Sequence, residues 1–572
     1  MPSAKETSAA QGVVGALKAE NVEFVFGLAG SHVLPIFDAL ADTPQIRHVV
    51  VKHENNAAFM AGMYGYLTGR PGVALVTAGP GATNSLSGVA QAYASSLPMV
   101  HVSGGVPLGS GNEAFHGVDR DDFLHKMFVD ITKWSVRVER AADIPAVFSR
   151  AFALAASGRP GPVHVDIPVD VVGASGVEMG PYRPSPVEKG SPRDSLIHQV
   201  GQALAAARRP VICAGRGVLV QRAEAELVAL AEAASAPVLC SSYGIGAMAD
   251  DHPLAAGVVS AWLGNSFALQ LIAEADFVLA LGLRSDTRLT DMLLKDAPKD
   301  TIFVALDEPR TLRFMKGVAS CVACDSRLFL ARLLSHADEY RRPPDPAPRA
   351  RIDRHIEAFQ RGLALHMAPF ESAQPLHYGR VLQEVAAHLD RDAIVVAGVG
   401  NHAIWGRTIL PVRGRESFIQ EGPWGTMGGE LAGGIAAKLV YPGRQVVVVT
   451  GDGSLLMAAS DFVTAVEAGA NVLVVVLNDS RYGMITALQQ MEFQRTFGDE
   501  IGWIDFARLA ESFGATGVRV GSPEALPDAV ARAMALSAQA PVILDAVCDY
   551  QYRWPDREAI LASGLGQGAA ET

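Results

Sequence analysis

The feature that most constrains this chain is a recurring run of β-branched residues that ends in glycine or a polar side chain. HVVVKH, GVALVTAG, PVICAGR, DFVLALG, QVVVVTGD and NVLVVVLND recur along 572 residues, separated by helical stretches such as AEAELVALAEAAS. Near-continuous Val/Ile/Leu strands belong to parallel sheets covered on both faces, and parallel strands need a helical crossover between them. The pattern predicts an α/β chain of three consecutive doubly wound parallel sheets. In such sheets ligands lie outside the carboxyl ends of the strands, so the chemistry is expected just after each run.

Two segments interrupt the grammar, PYRPSPVEKGSPRDS (Pro181–Ser195) and RRPPDPAPRAR (Arg341–Arg351). Both are rich in proline and charge, as linkers are. They predict domains over 6–182, 196–340 and 352–556, with a tail over 557–572. The net charge of −12 argues against nucleic acid and anionic membrane as partners, since both select a basic face. Apolar runs such as Val446–Val449 and Val472–Leu477 are far shorter than the roughly 20 residues of a membrane helix. The opening MPSAKETSAAQGVV lacks the basic and apolar regions of a signal peptide, so a soluble, cytoplasmic protein is expected. Five cysteines fit a reducing compartment, and the lone C-x-x-C of Cys321 and Cys324 reads as packed thiols rather than a metal or redox site.

The sharpest motif is VVVVTGDGSLLMAASDFVTAVEAGANVLVVVLNDSRYG, Val446–Gly483. One buried run ends at Gly451-Asp452-Gly453-Ser454 and the next at Asn478-Asp479, placing two carboxylates at the ends of two neighbouring strands. Magnesium is held through one or two carboxylates plus phosphate oxygens. The glycines let backbone approach a phosphate, and the helix that follows offers free N–H groups. Gly-Asp-Gly alone is also good turn chemistry; the second strand ending in Asn-Asp makes the signal specific.

This segment resembles the cofactor motif of the thiamine-diphosphate enzymes that include acetolactate synthase, pyruvate decarboxylase and benzoylformate decarboxylase. The resemblance implies that Asp452, Asp479 and the Arg481 carbonyl ligate Mg²⁺. It also sets Gly451, Gly453, Ser454, Tyr482, Gly483 and Met484 around the diphosphate. Asp479 stands where the family more often has Asn, an added negative charge beside a diphosphate. HVVVKHENNAAFMAGMYGYLTGRPGVALVTAGPGATN resembles the family's pyrimidine-binding domain, with Glu54 at its catalytic glutamate. A carboxyl group on N1′ of the aminopyrimidine favours the imino form whose N4′ removes the thiazolium C2 proton, and burial suits a carboxyl group to holding that proton. GPWGTMGGELAGG places Met427 where an apolar residue bends the cofactor into a V, with Gly425 and the Met427 N–H on the pyrimidine. GVGNHAIW places Asn401 and His402 at the diphosphate. By the same resemblance the three domains are pyrimidine-binding, central and pyrophosphate-binding, and the protein is a homodimer or homotetramer with active sites shared between subunits.

The overall resemblance is closest to the acetolactate synthase catalytic subunit, carried by GPGATNSLSGVAQAYASSLPMVHVSGG, AFALAASGRPGPVHVDIPVDV and YGMITALQQMEF. It implies decarboxylation of a small 2-oxo acid to an enamine that adds to a second carbonyl. Several positions depart: Ser103-Gly104-Gly105-Val106 lacks the family's glutamine, Ala114-Phe115-His116-Gly117 stands for A-F-Q-E, and Leu488 replaces a tryptophan. GLAGSHVLPIF puts Ser31 and His32 where benzoylformate decarboxylase and benzaldehyde lyase have active-site residues. Ser31, His32 and His116 are therefore candidate catalytic residues, imidazole titrating in the useful range. An acyloin or 2-hydroxyacyl(-CoA) lyase is the alternative, although the tail EAILASGLGQGAAET has no basic cluster for a CoA phosphate. A catalytically silent scaffold would be expected to have lost one of Glu54, Asp452, Asp479 or Met427. GLRSDTRLTDML (Gly282–Leu293) partly matches a flavin-binding central domain, while GVVSAWLGN lacks the G-M-H-G expected before it. The partial match makes FAD a candidate further cofactor, with a vestigial nucleotide site as the alternative.

Overall fold

The computed structural model describes residues 8–110, 114–259, 264, 266–284, 288–296, 298, 301–305, 320–420 and 422–568. Its strands form three six-stranded sheets, and every pairing between them is parallel. The first holds β1 (Phe24–Gly27), β2 (Arg47–Val50), β3 (Gly72–Val76), β4 (Met99–Gly105), β5 (Trp134–Arg137) and β6 (Pro162–Pro168), in the order β2-β1-β3-β4-β6-β5. The second holds β7 (Pro210–Ala214), β8 (Val238–Ser241), β9 (Ala255–Val259), β10 (Phe277–Leu281), β11 (Ile302–Ala305) and β12 (Ser320–Ala323), ordered β12-β11-β10-β7-β8-β9. The third holds β13 (Ile394–Ala397), β14 (Ile419–Gln420), β15 (Val446–Gly451), β16 (Leu473–Asn478), β17 (Thr516–Val520) and β18 (Val542–Val547), ordered β14-β13-β15-β16-β18-β17.

The first and third sheets thus share one strand order, and the second has the order of a dinucleotide-binding fold. The α/β class with three doubly wound parallel sheets is as the sequence predicts. Strands β4 and β6 are buried along their whole length, as are the Val/Leu runs of β15 and β16. That two-sided burial is why these runs do not alternate with polar residues.

Contacts divide the chain into two compact units. One comprises Met1–Glu188, Glu421–Pro442 and Ala458–Ala470; the other comprises Lys189–Gln420, Gly443–Met457 and Asn471–Thr572. The first sheet lies in the first unit, and the second and third sheets lie in the second.

The proline-rich stretch Arg341–Arg351, expected as a linker, is irregular over 341–345 and helical from Pro346. A helix spans Pro346–Met367, with Asp345 as its N-cap accepting the Ala347 N–H at 2.9 Å and proline in its first turn. Proline at the first helical position costs no hydrogen bond, so composition that reads as linker here starts a helix. The tail is also helical, over Arg557–Gly568, and packs on that same helix. Cys213, Cys240, Cys324 and Cys548 are buried free thiols; the Cys321 side chain lies outside the described residues. Among the described residues, no helix is long and apolar enough to cross a membrane.

Candidate active site

In the first unit, Glu54 opens the helix Glu54–Thr68 immediately after β2. His53 caps that helix through Nδ1, which accepts the Asn55 N–H at 3.2 Å. A carboxylate in the first turn meets free backbone N–H groups and the positive end of the helix dipole. Glu54 is only 8% exposed, and its Oε2 accepts a hydrogen bond from the Asn84 amide at 3.0 Å. Its other oxygen faces Gly81, where an added Cβ would lie 3.6 Å away.

The same Gly79–Asn84 turn receives His116. Gly79 has φ +58°, and a Cβ on it would come within 2.8 Å of His116 Cβ. The His116 ring stacks on His32 with centroids 5.0 Å apart, and Phe115 stacks on His116 at 4.0 Å. Ser31 Oγ lies 3.1 Å from His32 Nδ1. Burial lowers the His32 pKa and the neighbouring His116 lowers it further, which keeps that imidazole neutral near pH 7. His116 Nδ1 is buried without a partner, and its backbone is held at φ +66°, in the left-handed region that few non-glycine residues adopt. Ser31, His32, His116 and Glu54 therefore gather around one turn.

Met427, half-buried, follows Gly425, whose φ is +76° and whose N–H donates to the Gly422 carbonyl at 3.2 Å. The neighbouring Trp424 Nε1–H donates to Ser87 Oγ at 3.3 Å, and the Thr426 hydroxyl lies 3.4 Å from it. Ser87 follows closely on Asn84, so the Met427 turn packs on the segment that supplies the Glu54 partner.

In the second unit the residues after β13, β15 and β16 converge. The strand order reverses between β13 and β15, and the crevice at such a reversal is where open α/β sheets bind ligands. Asn401 and His402 begin the helix after β13, Asp452 begins the one after β15, and Asp479 follows β16. A Cβ on Gly451 would meet His402 Nδ1 at 3.2 Å. One on Gly453 would lie 2.7 Å from the Tyr482 ring, and one on Gly483 would run into the Asp479 carboxylate and lie 3.2 Å from the Asn401 amide. A side chain at 453 or 483 would force these neighbouring side chains to shift. Ser454 is buried and Met484 half-buried beside them.

Four buried polar atoms in this cluster have no hydrogen-bond partner: both side-chain amide atoms of Asn401, Nε2 of His402 and Oδ2 of Asp452. Each such atom costs about 1–3 kcal/mol unless something bonds to it. Burial raises the pKa of both Asp452 and Asp479, and for Asp452 the neighbouring Asp479 charge adds to it. Burial also holds His402 neutral, its pKa pushed down to about 4. Two crowded carboxylates beside a neutral imidazole and an amide, with those four atoms left unpartnered, fit a divalent cation carrying a diphosphate. Among the described residues no group of three or more His, Cys, Asp or Glu side chains could hold a metal alone. The Arg481 guanidinium is engaged elsewhere, 2.9 Å from Asp499, 2.7 Å from Glu500 and over the Tyr550 ring.

Two partners carry no signal in the sequence motifs. The Tyr378 hydroxyl donates to Asp479 Oδ2, while the Arg481 N–H donates to Oδ1 at 3.0 Å. These two donors offset the charge that Asp479 adds relative to asparagine. The other is Asn84, part of a glycine-rich turn and given no role by it. Of the flavin-matching segments, Ser260–Leu263, Asn265 and Ser285–Thr287 lie outside the described residues.

Three family models match in succession: the thiamine pyrophosphate enzyme N-terminal TPP binding domain over residues 7–125, the central domain over 197–333 and the C-terminal TPP binding domain over 398–546. Sheets and site together define a thiamine-pyrophosphate-dependent enzyme that makes or breaks carbon–carbon bonds. Curated relatives are similar over nearly the full length. They include acetolactate synthase of Mycobacterium bovis (30% identical, 96% of this chain and 90% of the relative). A probable acetolactate synthase large subunit of Methanocaldococcus jannaschii is 32% identical over 94% of this chain and 92% of its own. Acetolactate synthase isozyme 3 large subunit of Escherichia coli is 32% identical over 92% of each. The chain belongs to the acetolactate synthase family of thiamine pyrophosphate enzymes.

Proposed function

We propose that this protein joins small 2-oxo acids in the manner of an acetolactate synthase, using thiamine diphosphate and Mg²⁺. The observation that carries the reading is the set of unpartnered polar atoms of Asn401, His402 and Asp452 at the strand-order reversal of the third sheet. Asp452, Asp479 and the Arg481 carbonyl would hold the metal. Asn401, His402 and the backbone of Gly451, Gly453, Ser454, Tyr482, Gly483 and Met484 would hold the diphosphate. When bound, the cofactor supplies a carbon nucleophile that also accepts the electrons released when a bond beside a carbonyl breaks. Glu54 would hold a proton at the pyrimidine N1′, Met427 would support the bend between the rings, and Gly425 would accept from the pyrimidine amine. His32, neutral and tied to Ser31, and its stacked neighbour His116 would move protons at the substrate oxygen.

The reading carries with it a homodimer or homotetramer. The helix Gly483–Phe493 exposes Ile485 (47%), Leu488 (36%) and Met491 (57%) along one side. Such apolar surface is normally covered by a partner, and the reading makes that partner a second copy.

The histidine pair favours a second reading, an acyloin or 2-hydroxyacyl lyase, because His116 stands where an acetolactate synthase has glutamine. The test is an assay with pyruvate, thiamine diphosphate and Mg²⁺ that follows pyruvate loss and carbon products. Acetolactate is expected; untouched pyruvate together with cleavage of benzoin-type acyloins would overturn the synthase in favour of the lyase.

The hydroxyl on Asp479 gives a further expected outcome. Tyr378→Phe leaves Asp479 Oδ2 without its donor, and loss of a group that orients a metal ligand costs about 10–100-fold in metal affinity. Titration of the cofactor-loaded protein with Mg²⁺, read by intrinsic fluorescence, should show the midpoint rising by that factor. An unchanged midpoint would mean that the tyrosine does not serve the metal site.

A further inference from the structure

Asp461 is a fully buried carboxylate within the Val446–Gly483 segment, at a position to which the cofactor motif gives no role. It begins the short helix Phe462–Ala468, whose segment packs in the first unit. Oδ1 accepts the backbone N–H of Lys52 at 2.9 Å and the Thr464 hydroxyl at 2.9 Å, and Oδ2 accepts the Asn56 side-chain amide at 2.5 Å. Lys52 and Asn56 each stand two residues from Glu54, one on either side. Both ends of the strand-to-helix corner that presents Glu54 are therefore fastened to one side chain.

The attachment continues along the same helix. The Thr464 hydroxyl, whose one proton is shared between Asp461 Oδ1 and the Val50 carbonyl, lies 2.9 Å from the latter, Lys52 Nζ pairs with Glu467 at 2.5 Å, and Arg47 donates to the Ala468 carbonyl at 2.6 Å. The exposed pair and the surface arginine contribute little on their own. Asp461 differs because no water reaches it. Burial pushes its pKa up while the Lys52, Asn56 and Thr464 donors pull it back down. A buried carboxylate is tolerable only with its oxygens satisfied, so the three donors cannot move without a cost.

From this geometry we propose that Asp461 is a positioning residue for Glu54, fixing the Val50–Asn56 corner so that the Glu54 carboxyl meets the cofactor's pyrimidine. The proposal rests on the base-side role given to Glu54 above. A displacement of about 1 Å at a reacting group can cost up to about 100-fold in rate, so a loosened corner has an effect on chemistry larger than its effect on binding.

The test uses the full chain and two independent readouts. Without cofactor, hydrogen–deuterium exchange over residues 50–60 should accelerate in Asp461→Ala while the β4 and β6 peptides stay protected. With thiamine diphosphate and Mg²⁺, exchange of the cofactor C2 proton should slow by at least about 10-fold, with substrate KM changed less than about threefold. Asp461→Asn, which keeps an acceptor for the Lys52 N–H, should recover part of the loss, as a merely structural defect read by thermal stability would not require. If Asp461→Ala does not fold, Asn56→Ala removes one of the three bonds and is read in the same way. Wild-type C2 exchange in the folded variant, alongside slow exchange in Glu54→Gln, would overturn the positioning role alone. Wild-type exchange in Glu54→Gln would remove the role of Glu54 and this inference with it.

Discussion

Replacing Glu54 by glutamine is expected to lower kcat by about 10²–10⁴, the range that a positioned acid–base group contributes. The change is nearly isosteric. The glutamine carbonyl still accepts from the Asn84 amide, and the His53 cap on Asn55 is untouched. What is lost is a negative charge at the start of the Glu54–Thr68 helix, worth about 0.3–1 kcal/mol of helix stabilisation, and a group able to exchange a proton with the pyrimidine. The melting temperature and cofactor affinity should therefore move little while C2-proton exchange, read by acid quench and proton NMR, falls with kcat. Exchange at the wild-type rate would mean that activation of the cofactor does not pass through this carboxyl. A large fall in melting temperature would instead mark Glu54 as a structural residue of the corner.

The legible parts of this molecule are those written in short stretches of chain. Runs such as Val446–Val449 announce buried parallel strands because two-sided burial removes alternation, and Asp452 and Asp479 are legible because each directly follows such a run. Strand order is not local. The placement of β1 between β2 and β3, or of β13 between β14 and β15, depends on pairings that no window of sequence contains, yet the crevice holding Asn401, His402 and Asp452 depends on it. The same limit hides partners. Tyr378 and Asp479 are 101 positions apart, and Asn56 and Asp461 are 405 apart. No spacing rule connects them, although each fixes a residue that the motifs single out. Arg341–Arg351 is ambiguous for a different reason: residues 341–345 are irregular, but Asp345 followed by Pro346 is both good linker composition and a good helix start, and packing decides between them.

Asp452→Asn should separate the cost of the cofactor site from its use. In the wild-type chain without metal, burial and the nearby Asp479 raise the Asp452 pKa above its unfolded value. A raised carboxyl pKa means that the folded state binds the proton more tightly than the unfolded state does. Stability without metal is therefore lost as pH rises from about 4, the unfolded value, and the loss is complete once pH passes the raised folded value. Asparagine keeps an acceptor for the Gly453 N–H, which lies 2.7 Å from Oδ1, and carries no charge. The variant without metal should consequently be more stable than wild type at about pH 8. The gain is about 1.4 kcal/mol for each factor of ten by which folding tightens proton binding at Asp452, and it should vanish towards about pH 4. With Mg²⁺ and thiamine diphosphate the order should invert, because a neutral amide oxygen in place of a carboxylate holds a divalent cation less tightly. Thermal melts of both proteins at the two pH values, with and without metal and cofactor, test both halves. A variant destabilised equally under all four conditions would mean that Asp452 holds the fold rather than the metal. An unchanged affinity by calorimetry would move the metal away from the end of β15.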